Sequence, residues 1–251
     1  CVIDCWSAGA AFAGLVRSPA LGRAVAEVMG WRGARVANDQ AWGKPPGAAA
    51  LTFHRDSPYF DFVPAAVATV WIALDAMTEE LGPQEPAWNS TIPGIFSRDL
   101  ASRRAVEQTR SRGHARGAPE MSAPRRLEYV EGSHAWGDGR VGSAEQFFDS
   151  RDPTALLYDA ARREGIAEPE ASLVVERLDV PAGGAGIHNG RLWHGSGRNR
   201  SRTQPRRGLG IHFVPADARF RDAENGYETL AHRFRDPSGG NALPDHAFPV
   251  T

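Results

Sequence analysis

The sequence predicts a mainly β fold, a barrel or double-sheet jelly roll with helices on its flank. Three observations predict it. Several short apolar stretches are separated by Gly- and Pro-rich turns; helical periodicity is confined mainly to an early segment and one side segment; and 41% of the 251 residues are hydrophobic, enough for one sizeable core. A single domain over residues 1–251 fits that length.

The elements follow in chain order. Pro19 to Gly30 is a helix: Pro19 suits the first turn, Leu21, Val25, Val28 and Met29 recur at helical spacing, and Gly30 ends it. Arg35 to Ala37, Ala50 to Phe53 and Val67 to Leu74 read as strands. In the last, Val67, Thr69, Trp71 and Ala73 fall on one face and Ala68, Val70, Ile72 and Leu74 on the other, so the strand is expected to be buried on both sides. Residues 83 to 125 are rich in Pro, Ser, Arg and Gly and are expected to form a long excursion with one helix near Arg98 to Thr109. Leu127 to Val130 resumes the strands and Glu131-Gly132-Ser133-His134 turns the chain. Pro153 to Glu164 is a helix opened by Asp152 as cap. Strands return at Ser172 to Val180, near Ile187, at Leu192 to His194 and at Gly208 to Val214, and the tail from Arg219 is polar and irregular.

Composition narrows the function. With 29 basic and 30 acidic residues the formal charge is -1, which gives no electrostatic reason to expect nucleic acid or an anionic membrane as partner. No apolar run reaches the roughly 20 residues of a membrane helix. The opening Cys1-Val2-Ile3-Asp4-Cys5 lacks the pattern of a secretory signal, and a cytoplasmic location is expected. The two cysteines, Cys1 and Cys5, are too few for a disulfide framework or a cysteine zinc site. Lys44 is the only lysine; the dominance of Arg, Ala and Gly matches high-GC coding bias.

The chemistry-bearing residues begin with Phe53-His54-Arg55-Asp56-Ser57. On a strand, residues i and i+2 share a face, so His54 and Asp56 are expected to aim an imidazole and a carboxylate at one point. Two histidines and one carboxylate with open positions are the ligand set of non-haem iron(II) oxygenases. The second histidine must come from far along the chain; on the residues alone His188 and His194 stand level, with His212 a further candidate. A buried dicarboxylic co-substrate needs a cation for its far end, and Arg206 and Arg207 precede the last long strand.

The ordered series His54-Arg55-Asp56, Trp71-Ile72-Ala73-Leu74-Asp75, Val130-Glu131-Gly132-Ser133-His134, His194-Gly195-Ser196-Gly197-Arg198-Asn199, Arg206 and Ile211-His212-Phe213 resembles the phytanoyl-CoA dioxygenase family, from about Val36 to about Pro215. The resemblance implies a double-stranded β-helix (jelly roll, cupin-like), with Fe(II), 2-oxoglutarate and O2. It implies His54, Asp56 and His194 as metal ligands and Arg206 as partner of the far carboxylate of 2-oxoglutarate, with Gln40 and Trp71 lining the co-substrate pocket. Ser133 sets a turn and His134 is structural. Halogenating relatives lack the carboxylate that Asp56 supplies, which argues against halogenation. About 40 residues, Gln84 to Arg126, stand where relatives turn quickly; this segment is expected to cap the site as a lid at about 84–125. Relatives also carry more chain before Pro19, so the N-terminus is expected to be incomplete.

The implied reaction attacks a C–H bond of a small molecule, a secondary-metabolite intermediate such as a polyketide or its glycoside, by hydroxylation, epimerisation or ring closure. Two alternatives stand beside it. One is a non-oxidative metal-dependent cupin hydrolase or isomerase, for which Arg206 is dispensable; the other is a non-catalytic small-molecule-binding barrel.

Overall fold

The computed structural model of the chain describes residues 1–77, 95–99, 127–137, 151–222, 230–236, 238 and 240–251; of 95–99 and 230 it describes the backbone alone. Among the described residues, twelve strands form two facing sheets and a short ribbon. They are β1 (Val2–Ile3), β2 (Ala34–Lys44), β3 (Leu51–His54), β4 (Phe62–Val63), β5 (Ala68–Ala73), β6 (Ile95–Asp99), β7 (Leu127–Val130), β8 (Val175–Leu178), β9 (Gly184–Asn189), β10 (His194–Ser196), β11 (Arg206–Pro215) and β12 (Arg219–Phe220). The major sheet runs β1-β2-β11-β5-β9-β6, the minor sheet β3-β10-β7-β8, and β4 pairs β12. All of these pairings are antiparallel. This is the mainly β, double-stranded β-helix architecture expected.

Alternation along the strands decides what each face meets. On β11, Leu209, Ile211 and Phe213 point outward into a core shared with Val70 and Ile72 of β5. Helices α1 (Ala10–Val16) and α2 (Pro19–Met29) cover that face with Val16, Leu21, Val25 and Ala26. Gly30 ends α2 in the left-handed conformation (φ 69°), as its position requires. The opposite face of β11 carries Gly208, Gly210 and His212 and lines the cavity between the sheets. The minor sheet is backed by α3 (Ala155–Arg163), whose Leu156, Leu157 and Ala160 pack on Phe53, Val130 and Trp193. A second short helix, α4 (Pro169–Ser172), precedes β8.

Several boundaries differ from the sequence expectation. β2 extends to Lys44 because ten residues of β11 pair with it, although Asn38, Asp39 and Gly43 are poor strand formers. Ile95–Asp99 is a strand on the edge of β9, so the expected helix near Arg98 does not begin there; its remainder, and the expected lid apart from β6, lie outside the described residues. The strand expected from Ser172 is the end of α4, with β8 starting at Val175. α3 begins at Ala155; Asp152 instead closes the turn before it, accepting from the Thr154 N–H at 3.0 Å. Leu192 and Trp193 belong to the turn that delivers His194 at the start of β10.

Candidate active site

His54 and His194 are register partners where β3 pairs with β10, at the cavity end of the minor sheet. β3 stops at His54, and Asp56 (φ −78°, ψ −41°) opens a turn of 3-10 helix over Ser57–Tyr59. The strand alternation expected to align His54 with Asp56 is therefore not what aligns them. A helical step directs the Asp56 carboxylate back over His54, pinned by the Asp56 and Ser57 N–H groups donating to the Gly190 carbonyl at 2.9 Å each.

Three ligand-type atoms converge. Asp56 Oδ1 lies 3.6 Å from His54 Nε2 and 3.7 Å from His194 Nε2, and the set falls within a span of 4.8 Å. Each of these imidazoles meets the carbonyl two residues before it through Nδ1, at 2.9 Å from Thr52 O for His54 and 2.9 Å from Leu192 O for His194. A carbonyl only accepts, so both rings carry their hydrogen on Nδ1 and present Nε2 as a lone pair. Burial, reinforced by the neighbouring His194, pulls the His54 imidazole down to about 3, so it is neutral at pH 7. Burial alone would raise the Asp56 carboxyl; His194, His188 and His212 around it hold it well below the usual range, and it is ionised. Two imidazole nitrogens and one carboxylate oxygen, buried together, are a donor set suited to ferrous iron.

His188 and His212 do not point at that convergence. His188 Nε2 is 3.2 Å and His212 Nε2 3.7 Å from Asp56 Oδ2, the other carboxylate oxygen. The geometry thus separates His194 from His188 where the residues alone left them level.

Arg206 and Arg207 take opposite faces of β11. Arg207 is exposed and grips Asp75 through Nε and Nη2 at 2.9 and 2.8 Å. Arg206 is buried, lines the cavity and donates from Nη2 to Ser196 Oγ at 2.9 Å. Gln40 and Trp71 line the same cavity, of about 600 Å3, which is also bounded by His54, Asp56 and His194. Gln40 Oε1 accepts from Trp42 Nε1 at 3.1 Å. The Trp71 ring lies so close over β11 that a Cβ on Gly208 would fall 2.5 Å from it. Ser133 Oγ donates to Val130 O at 2.8 Å and accepts from the Trp193 N–H at 2.9 Å, the turn-setting part expected of it. Lys44, beside Arg206 in the register of β2 and β11, was not singled out in the sequence as a site residue; its inward alternation with Asn38, Gln40 and Trp42 is the signal that would have found it.

A double-stranded β-helix that gathers two histidines and a carboxylate inside its cavity defines the class of mononuclear non-haem iron oxygenases. The family model for phytanoyl-CoA dioxygenase (PhyH) matches residues 5–85 and 127–208, well over half the chain, and the protein belongs to that family. It is a 2-oxoglutarate-dependent non-haem iron oxygenase, using Fe(II), 2-oxoglutarate and O2. The fold is similar to that of the epimerase SnoN from nogalamycin biosynthesis, solved with Fe3+, α-ketoglutarate and nogalamycin RO (TM-score 0.63, 16% identity, 99% of this chain and 77% of that one). It is similar to the carbocyclase SnoK from nogalamycin biosynthesis (0.62, 18%, 100% and 75%) and to EctD from S. alaskensis (0.52, 15%, 97% and 66%). At these identities the likeness is one of fold. No curated protein matches the chain by sequence. Among the described residues no helix is long and apolar enough to cross a membrane.

Proposed function

We propose that His54, Asp56 and His194 hold the ferrous ion, that Arg206 receives the far carboxylate of 2-oxoglutarate, and that Gln40 and Trp71 wall the co-substrate. The observation that carries this is the meeting of two Nε2 lone pairs and Asp56 Oδ1 at one buried point. When bound, the ion with 2-oxoglutarate and O2 supplies oxidation of a C–H bond. The chain's own residues do the rest. Arg206 offers fixed positive charge in a place shielded from water. His54 and His194 keep their Nε2 atoms aimed because their Nδ1–H groups are anchored to backbone.

The substrate is a small molecule, a secondary-metabolite intermediate such as a polyketide or its glycoside, altered by hydroxylation, epimerisation or ring closure. A cavity of about 600 Å3 is larger than 2-oxoglutarate needs and falls in the usual range for small-molecule sites. The similar folds of SnoN and SnoK, named as an epimerase and a carbocyclase, support the choice of reaction class. The test is anaerobic Fe(II) titration with 2-oxoglutarate, followed by succinate release on adding oxygen and candidate substrates. His54→Ala, Asp56→Ala and His194→Ala are each expected to lose tight Fe(II) binding; wild-type affinity in any of them sinks the assignment.

A further inference from the structure

The major sheet turns a row of four polar side chains toward the cavity. Asn38, His212, Thr69 and His188 are register partners across β2, β11, β5 and β9, and all four line the cavity wall. Asp56 meets this row with one oxygen only. Its Oδ2 accepts from Thr69 Oγ1 at 2.5 Å and lies 3.2 Å from His188 Nε2. Its Oδ1 faces the minor sheet, toward the Nε2 atoms of His54 and His194.

Chemistry fixes the protons along this chain. An ionised carboxylate only accepts, so His188 carries its hydrogen on Nε2 and leaves Nδ1 as an acceptor. The Tyr129 hydroxyl stands 3.3 Å from that Nδ1 and is its donor. Tyr129, His188 and Asp56 thus form one directed series running from β7 through β9 to the turn after β3.

We propose that His188, oriented by Tyr129 and assisted by Thr69, is the positioning residue of Asp56: it occupies Oδ2 so that the carboxylate offers a single oxygen to an ion at the His54–His194 pair. The proposal rests on the metal-site reading above. A carboxylate with both oxygens free can chelate an ion and take an extra coordination position. With Oδ2 held by two donors, Asp56 takes one position, and the three ligands leave three for co-substrate and oxygen. A histidine kept only for packing would not need a ring nitrogen aimed at this carboxylate from one side and a hydroxyl from the other.

Co(II), whose visible absorption reports coordination number, is the probe for a test on the full chain. The variants are His188→Leu, which removes the donor, and His188→Gln, whose amide keeps one. His188→Leu is expected to weaken Co(II) binding by about 10- to 100-fold, the usual effect of losing such a hydrogen bond, and to alter the absorption bands. His188→Gln is expected to restore the wild-type spectrum and to bind within a few-fold of wild type. His188→Leu binding like wild type with an unchanged spectrum overturns the proposal. So does equal weakening in both variants, which would make the effect one of packing. If His188→Leu does not fold, Thr69→Val, which removes the other donor, is expected to weaken Co(II) by about tenfold, and wild-type affinity in it is equally fatal. Failure of the wild-type protein to bind Co(II) defeats the metal-site reading itself, whereas binding that ignores position 188 defeats this proposal alone.

Discussion

The ammonium of Lys44 donates to the carbonyls of Ser196 and Gly197 at 3.0 and 2.9 Å, next to Arg206. Burial, and then the Arg206 charge, lower its pKa to about 7, with Glu128 of β7 pulling the other way. Glu128 is itself shared with Arg177 of β8 at 3.2 Å. Positive charge therefore exceeds negative here, and an incoming carboxylate at Arg206 favours protonated Lys44. The direction of the pH effect follows. Lys44 is partly neutral above pH 7 in the free protein and regains its proton when the anion binds, so 2-oxoglutarate affinity falls as pH rises from 7, by at most about tenfold per unit. Calorimetric titration in two buffers of different ionisation enthalpy is expected to show proton uptake at pH 8, absent in Lys44→Met; pH-independent affinity between 7 and 9 would rule the coupling out. Alternation with Asn38, Gln40 and Trp42 marks Lys44 as inward-facing, but only pairing with β11 places it beside Arg206. His54 and Asp56 were legible because they are two apart in the chain, although a helical step, not strand alternation, brings them together. His188 and His194 stayed level on the residues because which oxygen of Asp56 each one meets is set by pairing between distant strands.

At the scale of elements, two small residues set how close the strands and turns come. Ser133 ties the end of β7 to the turn that delivers His194: its hydroxyl bridges Val130 O and the Trp193 N–H, all buried. Ser133→Ala leaves that N–H without its acceptor and is expected to cost about 1–3 kcal/mol, read as a lowered urea midpoint; no shift would show that the N–H finds another partner. Gly208 is the second. Its missing side chain is what lets the Trp71 ring lie on β11, since a Cβ there would sit 2.5 Å from ring carbon Cζ2. Gly208→Val is expected to push Trp71 into the co-substrate side of the cavity, raising the KM for 2-oxoglutarate more than it lowers stability, which overpacking of this kind reduces by about 1–3 kcal/mol. A changed melting temperature with unchanged KM would separate Trp71 from the co-substrate. The central elements were legible for the same reason that they are stable: β5 and β11 alternate apolar residues toward the helices with Thr69, Trp71, Gly208, Gly210 and His212 toward the cavity. β2 and β6 were not. Asn38, Asp39 and Gly43 of β2 are poor strand formers, and β6 is only five residues at the edge of the sheet; in both, the strand is completed by the neighbour that supplies its hydrogen bonds.

At the scale of the whole molecule, the candidate metal site joins the two sheets. His54 and His194 come from β3 and β10 of the minor sheet, while Asp56 is held through Oδ2 by Thr69 and His188 of β5 and β9 in the major sheet. Among the described residues the helices do not bridge this gap; α1 and α2 cover the outside of the major sheet and α3 the outside of the minor one. An ion bound at Oδ1 and the two Nε2 atoms therefore ties one sheet to the other, and it does so only in the folded state, because His194 is far along the chain from His54 and Asp56. Ligand that binds the native state alone stabilises it by about 2.7 kcal/mol at a free concentration of 100 times its Kd. For a chain of 251 residues each kcal/mol moves the midpoint by about 2–4 °C. Saturating Fe(II) under anaerobic conditions is therefore expected to raise the melting temperature by roughly 5–10 °C, and a chelator to reverse the gain. Asp56→Ala removes the ligand that reaches the major sheet, so its melting temperature is expected to respond little to the metal. A full wild-type shift in Asp56→Ala would mean that the ion binds somewhere that does not span the sheets.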